Sequence, residues 1–328
     1  MQTRRKTWGA NILGRFPQYP RPHGPRLNTP PASETAVPGL DPVAALRWRR
    51  RNRSESPWLH EEVATRMAER LSWFREQPTS WLHWEPVSGG LRAHRHLRSL
   101  LPEARCHVLA ERLPEALAAT RDESGPAWNP LNWGRQKGPK PVEDQTRVRM
   151  VWANMLLHME PYPQALIQRW NRHIETNGFL MFSCLGPDSL RELRPVFAQQ
   201  GWPEPAHAFT DMHDWGDMLV HSGFAEPVMD MERITLSYSG AEPLLKELGE
   251  LGRNLSTARF PACRSRAWRD RLCQAIEAGL PRSPDGRLLL TFEVIYGHAF
   301  KPVPRVAMGP STTLPVDDLR AMLRNPRR

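Results

Sequence analysis

No stretch of the 328 residues offers the roughly 20 consecutive apolar positions that a membrane-crossing helix needs. Cysteine is scarce: Cys106, Cys184, Cys263 and Cys273 form no CxxC pair. That argues against a disulfide framework or a structural zinc centre and for reduced thiols in a cytoplasm. The histidines are scattered, and His94 and His96 have no second ligand pair at zinc spacing, so no metal is expected. Acidic residues are rare only at the front, where residues 1–53 hold 11 Lys/Arg against Glu34 and Asp41 and so carry nine of the ten net positive charges. The rest of the chain is nearly neutral. A nucleic-acid enzyme needs a basic face on its folded body, so the tryptophan-rich body is not read as one and no nucleic-acid partner is expected. Arg4 and Arg5 precede no continuous apolar segment, which excludes twin-arginine export and leaves an organellar leader as the minor alternative. A basic tail still attracts acidic partners weakly and in a salt-dependent way.

Composition divides the chain in three. Residues 1–55, with "FPQYPRPHGPRLNTPP", have too little apolar surface to offset the entropy of ordering and are expected to form a loose basic leader. Residues 56–302 suit one α/β domain, and 303–328 a loose tail with a short helix near "VDDLRAMLR". Within the domain, Ser56 and Pro57 suit the cap and first turn of a helix that buries Leu59, Val63, Met67, Leu71 and Phe74. "SWLHWEPVSGGLRAHRHLRSLLPEARCHVLAERLPEALAATR" then has the rhythm of strand, turn, helix, repeated once, which builds a parallel sheet. Between Asp122 and Thr146 the rhythm fails, so the third strand is expected to be short or displaced. "VRMVWANMLLH" and "NGFLMFSCL" read as the fourth and fifth strands, "PVMDMERITLSY" as the sixth and "RLLLTFEVIYGHAF" as the last, with two helices between about 240 and 279. Ser189 and Glu192 have capping-box spacing, Pro195 is expected to kink the helix behind them, Asp211 and Asp214 suit a helix start, and Gly223 suits its C-terminal cap.

The stretches "FSCLGPDSLRELR" and "FTDMHDWGDMLVHSGF" resemble the fifth strand and following helices of class I S-adenosylmethionine-dependent methyltransferases, and more narrowly the malonyl-acyl-carrier-protein O-methyltransferases of biotin synthesis. The resemblance covers roughly 56–300. It implies a Rossmann-like, mostly parallel seven-stranded sheet with flanking helices, an antiparallel last strand, and a crevice at the carboxyl ends of the first and fourth strands. It implies S-adenosyl-L-methionine as cofactor, an acidic acyl carrier protein as partner, a cytoplasmic location and no membrane partner. The family's cofactor turn is an acid followed by three alternating glycines. Here Glu85 matches the acid and Gly89 the middle glycine, while Val87 and Leu91 replace the outer two, with Gly90 as partial compensation. A Cβ where the turn needs positive φ is strained. Glu111, 26 residues after Glu85, matches the acid that binds the ribose hydroxyls, and Asn154 matches the asparagine closing the fourth strand.

Methylating a carboxylate needs no general base, because the nucleophile is already ionised; it needs proximity, a dry pocket and donors that orient the anion. Arg191 and Arg194, one turn apart, offer planar forks for it, and His213 and His298 match family positions near the mouth. Tyr238 and Tyr296 are further donors. The family's N-terminal tyrosine is missing from "LRWRRRNRSESPWL", where Trp58 supplies volume without a hydroxyl. These departures define the alternative reading, a non-catalytic relative that keeps the fold as a binding or scaffold protein. The oligomeric state is not legible.

Overall fold

The computed structural model describes residues 39–121 and 138–304. The expectations for residues 1–38 and for a helix near "VDDLRAMLR" lie outside the described residues. Seven strands form one sheet in the order β3-β2-β1-β4-β5-β7-β6. They are β1 (Ser80–Trp84), β2 (Arg105–Leu109), β3 (Lys140–Pro141), β4 (Val148–Ala153), β5 (Ile174–Leu185), β6 (Ala225–Tyr238) and β7 (Leu288–Phe300). β1 through β5 pair in parallel, and β7 runs antiparallel to both β5 and β6. Every residue of β1 is buried, as a parallel strand covered on both faces requires. The short third strand is there: two residues, pairing Lys140 with His107 and Pro141 with Val108. Since the chain works outward from β1 to β3 and then returns to β4 on the other side, the carboxyl ends of β1 and β4 diverge, and a crevice opens there.

The helices cover both faces. They are α1 (Pro42–Arg49), α2 (Trp58–Glu69), α3 (Pro86–Gly89), α4 (Leu91–Leu100), α5 (Leu113–Thr120), α6 (Pro163–His173), α7 (Leu193–Gln199), α8 (Met212–His221), α9 (Ala241–Leu251) and α10 (Arg266–Gly279). α2 buries Leu59, Val63 and Met67 as its spacing predicts, and beyond it Phe74 stacks on Phe179 at 4.3 Å between ring centroids. Among the described residues no helix is long and apolar enough to cross a membrane.

Four local expectations are corrected. Ordered structure begins before Ser56: Asp41 caps α1 by accepting from the Val43 and Ala44 amides and pairs with Arg259 at 2.6 Å, while Leu40 and Ala45 pack with Met159 and Leu255. Composition hid this, because a short arginine-rich helix has few apolar groups of its own and orders only against a surface that sequence does not display. Second, Ser56 does not cap α2; its hydroxyl donates to the Val87 carbonyl and accepts from the Leu91 amide, each at 2.8 Å. Third, Ser189 and Glu192 form no capping box. Ser189 exchanges hydrogen bonds with the backbone of Glu293, and Glu192 accepts from the Thr291 amide, so both fasten this segment to β7. Pro195 then falls in the first turn of α7, where its missing amide costs nothing, and no kink is needed. Asp211 does cap α8, by accepting from the His213 amide, and Gly223 takes φ +87° just past its end.

Gly297 on β7 faces the Phe182 ring, and a Cβ there would overlap that ring and come within 2.9 Å of the Met229 sulfur. Gly297→Ala is therefore expected to cost about 2 kcal/mol through overpacking, measured by urea denaturation; an unchanged midpoint would show that the sheet yields at this point.

Candidate active site

The crevice is built where β1 runs out. Glu85 follows with φ +55°, and its amide donates to the Leu109 carbonyl at 2.8 Å, tying the end of β1 to β2. The next four residues close into α3, and Gly90 turns into α4 with φ +132°. Val87 and Leu91 are thus helical, and the strain expected at them does not arise: the left-handed positions have moved to Glu85 and Gly90. At Gly90 a Cβ would meet Ala93, Ala64 and the Glu61 carboxylate at 3.2–3.3 Å, so this glycine is required both by conformation and by space.

A helix start has free amides that favour an anion. At α4 the protein supplies that anion itself. Glu61, buried in α2, accepts from the Arg92 and Ala93 amides, each at 3.0 Å, and Ser56 takes the Leu91 amide. Glu61 did not stand out in sequence, and Ser56 did so only as a cap for α2. The only signal was a glutamate at a position that the helical periodicity of α2 places next to its buried stripe.

Glu85 accepts from the Glu111 amide at 2.6 Å, which sets the two acids side by side at the ends of β1 and β2. Burial, and then the Glu111 charge, push the Glu85 carboxyl up to about 7 against the pull of that amide and of Arg49 and Arg169. An acid whose folded-state value is raised favours the neutral form. Its contribution is complete below about 4.5 and is lost as the pH rises to about 7. Over that window the protein is expected to lose about 3 kcal/mol through this group, and Glu85→Gln should remove that part of the slope. Denaturation at stepped pH reads it, and parallel curves for the two proteins would refute the assignment.

Asn154 and the two glycines turn out to be framework. The Asn154 amide donates to the carbonyls of His60 and Gly89, and its oxygen accepts from Ser183 at 2.6 Å, so no amide proton remains for a ligand. Gly89 and Gly90 lie behind the wall of the cleft. The lining comes from Glu85, Val87, Ser88, Ala110, Arg112, Met155, Leu156 and Leu251, with His60 from α2 and Trp48, Arg49, Arg51 and Arg53 from α1 and the segment after it. His60 is neutral, since burial lowers it to about 4. Its Nδ1 donates to the Ser88 carbonyl at 2.7 Å, which leaves Nε2 as a bare acceptor, and that atom is buried without a partner among the described residues. Glu111, flanked by the lining residues Ala110 and Arg112, is paired with the Arg50 guanidinium at 2.8 Å, and Arg49 is paired with Glu160. With these side chains in place only about 60 Å³ of the cleft is free, room for a few waters.

The substrate residues expected from sequence do not gather here. Arg191 pairs with Asp188 and Glu192, and Arg194 donates to the carbonyls of Pro187 and Ser189, so both forks are spent on the exposed loop after β5. His213 is exposed beside Asp211 at the start of α8. His298 lies toward the amino-terminal ends of the parallel strands, opposite the crevice, in a separate cleft with Phe74, Phe179 and Phe300. Tyr296 bonds Glu232 beneath Arg70, Tyr238 is buried against α9, and Trp58 is exposed, so none lines the crevice. Arg191, Arg194 and His213 spend their polar atoms on residues close to them in sequence, and the others lie on parts of the sheet and helices away from the crevice.

A seven-stranded sheet of this order, with the last strand antiparallel and paired acids at the ends of β1 and β2, defines a class I methyltransferase. No family model matches the chain. Curated relatives do match it. It is 38% identical over 257 residues to the malonyl-[acyl-carrier protein] O-methyltransferase of Gallionella capsiferriformans, covering 76% of this chain and 86% of the relative. It is 37% identical over 257 residues to the enzyme of the same name from Laribacter hongkongensis, covering 75% and 84%. The chain belongs to the malonyl-[acyl-carrier protein] O-methyltransferase family, in which S-adenosylmethionine is the methyl donor.

The residues present fit the nucleoside end of that cofactor: an acid at the end of β2 beside an apolar wall of Ala110, Ala116, Met155 and Leu156. A ligand of this size needs a pocket of about 300 Å³ or more, against the roughly 60 Å³ left free between the side chains that line the cleft here.

Proposed function

We propose that this protein transfers a methyl group to the free carboxylate of a malonyl group carried on acyl carrier protein, a step of biotin synthesis in the cytoplasm. The observation that carries the reading is the similarity to enzymes of that name across most of their length, with the crevice at the switch point of the sheet. When bound, S-adenosylmethionine would supply an electrophilic methyl group to the carboxylate oxygen, the C–S bond breaking as the O–C bond forms. No proton moves, so the chemistry calls for no general base. Glu111 and its neighbour Ala110 hold the nucleoside end, and Met155, Leu156 and Leu251 keep the reaction away from water. Arg49, Arg51 and Arg53 at the mouth place positive charge where an anionic substrate arrives.

The test incubates the purified full chain with malonyl-acyl carrier protein and S-adenosylmethionine carrying a labelled methyl group, then looks by mass spectrometry for the mass of one labelled methyl group in place of hydrogen on the carrier. Label recovered as a base-labile ester supports the reading. Cofactor binding without transfer would identify a binding relative instead.

A further inference from the structure

We propose that Arg51, Arg53 and Arg253 form a phosphoryl-binding site on Trp48 at the rim of the cleft, and that its ligand is the phosphodiester of the substrate's phosphopantetheine arm. This inference rests on the carrier-bound substrate proposed above. The three guanidiniums lie 5.5, 4.2 and 5.0 Å from the Trp48 ring centre, so one indole organises all three. Each uses one nitrogen on the carbonyls that end α9: Arg51 on Gly249, Arg53 on Glu250, and Arg253 on Gly249 and Gly252. Among the described residues none of the three makes a salt bridge to a carboxylate, whereas their neighbours Arg49, Arg50 and Arg259 all do. Burial, and then the charges of Arg51 and Arg253, lower Arg53 to about 10, so like charges have been gathered here rather than dispersed.

The cofactor does not account for such a cluster. It carries no phosphate, and its one anion is the methionine carboxylate, which a single guanidinium fork is enough to hold, so three arginines exceed what it needs. The part of the substrate that must cross the rim is the arm, whose phosphodiester is its only fixed charge before the malonyl end. Guanidinium forks suit tetrahedral phosphate oxygens, and a ring that holds them in place reduces the entropy lost on binding. Capping of α9 is the plainer role for these side chains, but it requires neither three of them nor a shared indole.

Calorimetry on the full chain with 4′-phosphopantetheine, pantetheine and adenosine 5′-monophosphate tests the assignment. The phosphorylated arm is expected to bind at least tenfold more tightly than pantetheine, and Arg51→Gln with Arg253→Gln to erase that difference while leaving pantetheine unchanged. Both positions are exposed, and Arg51→Gln alone, expected to lose about half of the logarithmic difference, serves if the double variant does not fold. Equal affinity for the two arms, or a preference that survives the double substitution, overturns the site. Adenosine 5′-monophosphate binding as tightly as the phosphorylated arm shows a nucleotide site and overturns the arm as ligand. Because these titrations read binding alone, methyl transfer to malonyl-acyl carrier protein with no phosphate preference would refute this inference and leave the function standing.

Discussion

Glu111→Ala is expected to weaken S-adenosylmethionine binding by about 1.5–3 kcal/mol, the range for a hydrogen bond to a charged group, or roughly 10- to 150-fold in Kd. The ribose hydroxyls lose a charged acceptor that the end of β2 holds in place, since the Glu111 amide is fixed to Glu85. Arg50→Ala should act in the opposite direction. Arg50 is largely exposed yet occupies the Glu111 carboxylate, so cofactor binding must displace it. A surface pair of this kind is worth about 0–1 kcal/mol, which predicts up to about fivefold tighter binding in the variant. The double variant makes the test sharp: without Glu111, removing Arg50 should change nothing. Calorimetry on the four proteins completes the cycle. Tight binding indifferent to Glu111 would place the ribose elsewhere, and an Arg50 effect that persists without Glu111 would show that the arginine blocks the cleft by bulk instead.

Glu61→Ala is expected to be the most destabilising of these substitutions, at about 3 kcal/mol. It removes a buried carboxylate that satisfies two amides at the start of α4 and leaves both without that acceptor, the Ala93 amide in a buried place. For a domain of this size the thermal midpoint should fall by about 6–12 °C. Glu61→Gln keeps one acceptor oxygen and should recover roughly half of the loss. If Glu61→Ala melts with the parent, the cap is incidental, and the turn between β1 and α4 is held by Ser56 and Asn154 alone. The same pair of variants explains how a turn lacking two of the expected glycines persists: the carboxylate of a neighbouring helix does there what a glycine-rich backbone does around a ligand.

Much was legible in the chain, for definite reasons. The strand and helix order came from periodicity, because buried parallel strands such as "SWLHW" and amphipathic helices such as α2 leave strong local patterns. The end-of-strand acids Glu85 and Glu111 were legible from their interval, which the lengths of β1, α4 and β2 determine. Arg191, Arg194, His213 and His298 were equally visible but did not gather at the cleft, because spacing along a chain does not say where a loop or a strand end is carried: the two arginines bond within their own loop, and His298 lies in a separate cleft.

The sequence by itself determined the class of sheet, the family, and the acid at the end of each of the first two strands, all properties carried by short segments. Only the tertiary structure decided that α1 belongs to the folded body, that Glu61 caps α4, that Arg50 covers Glu111, and that three arginines share Trp48. Each of these joins residues from separate elements. Their energies come from desolvation and charge pairing at distances that arise only when the elements pack, so no local pattern of residues announces them in advance.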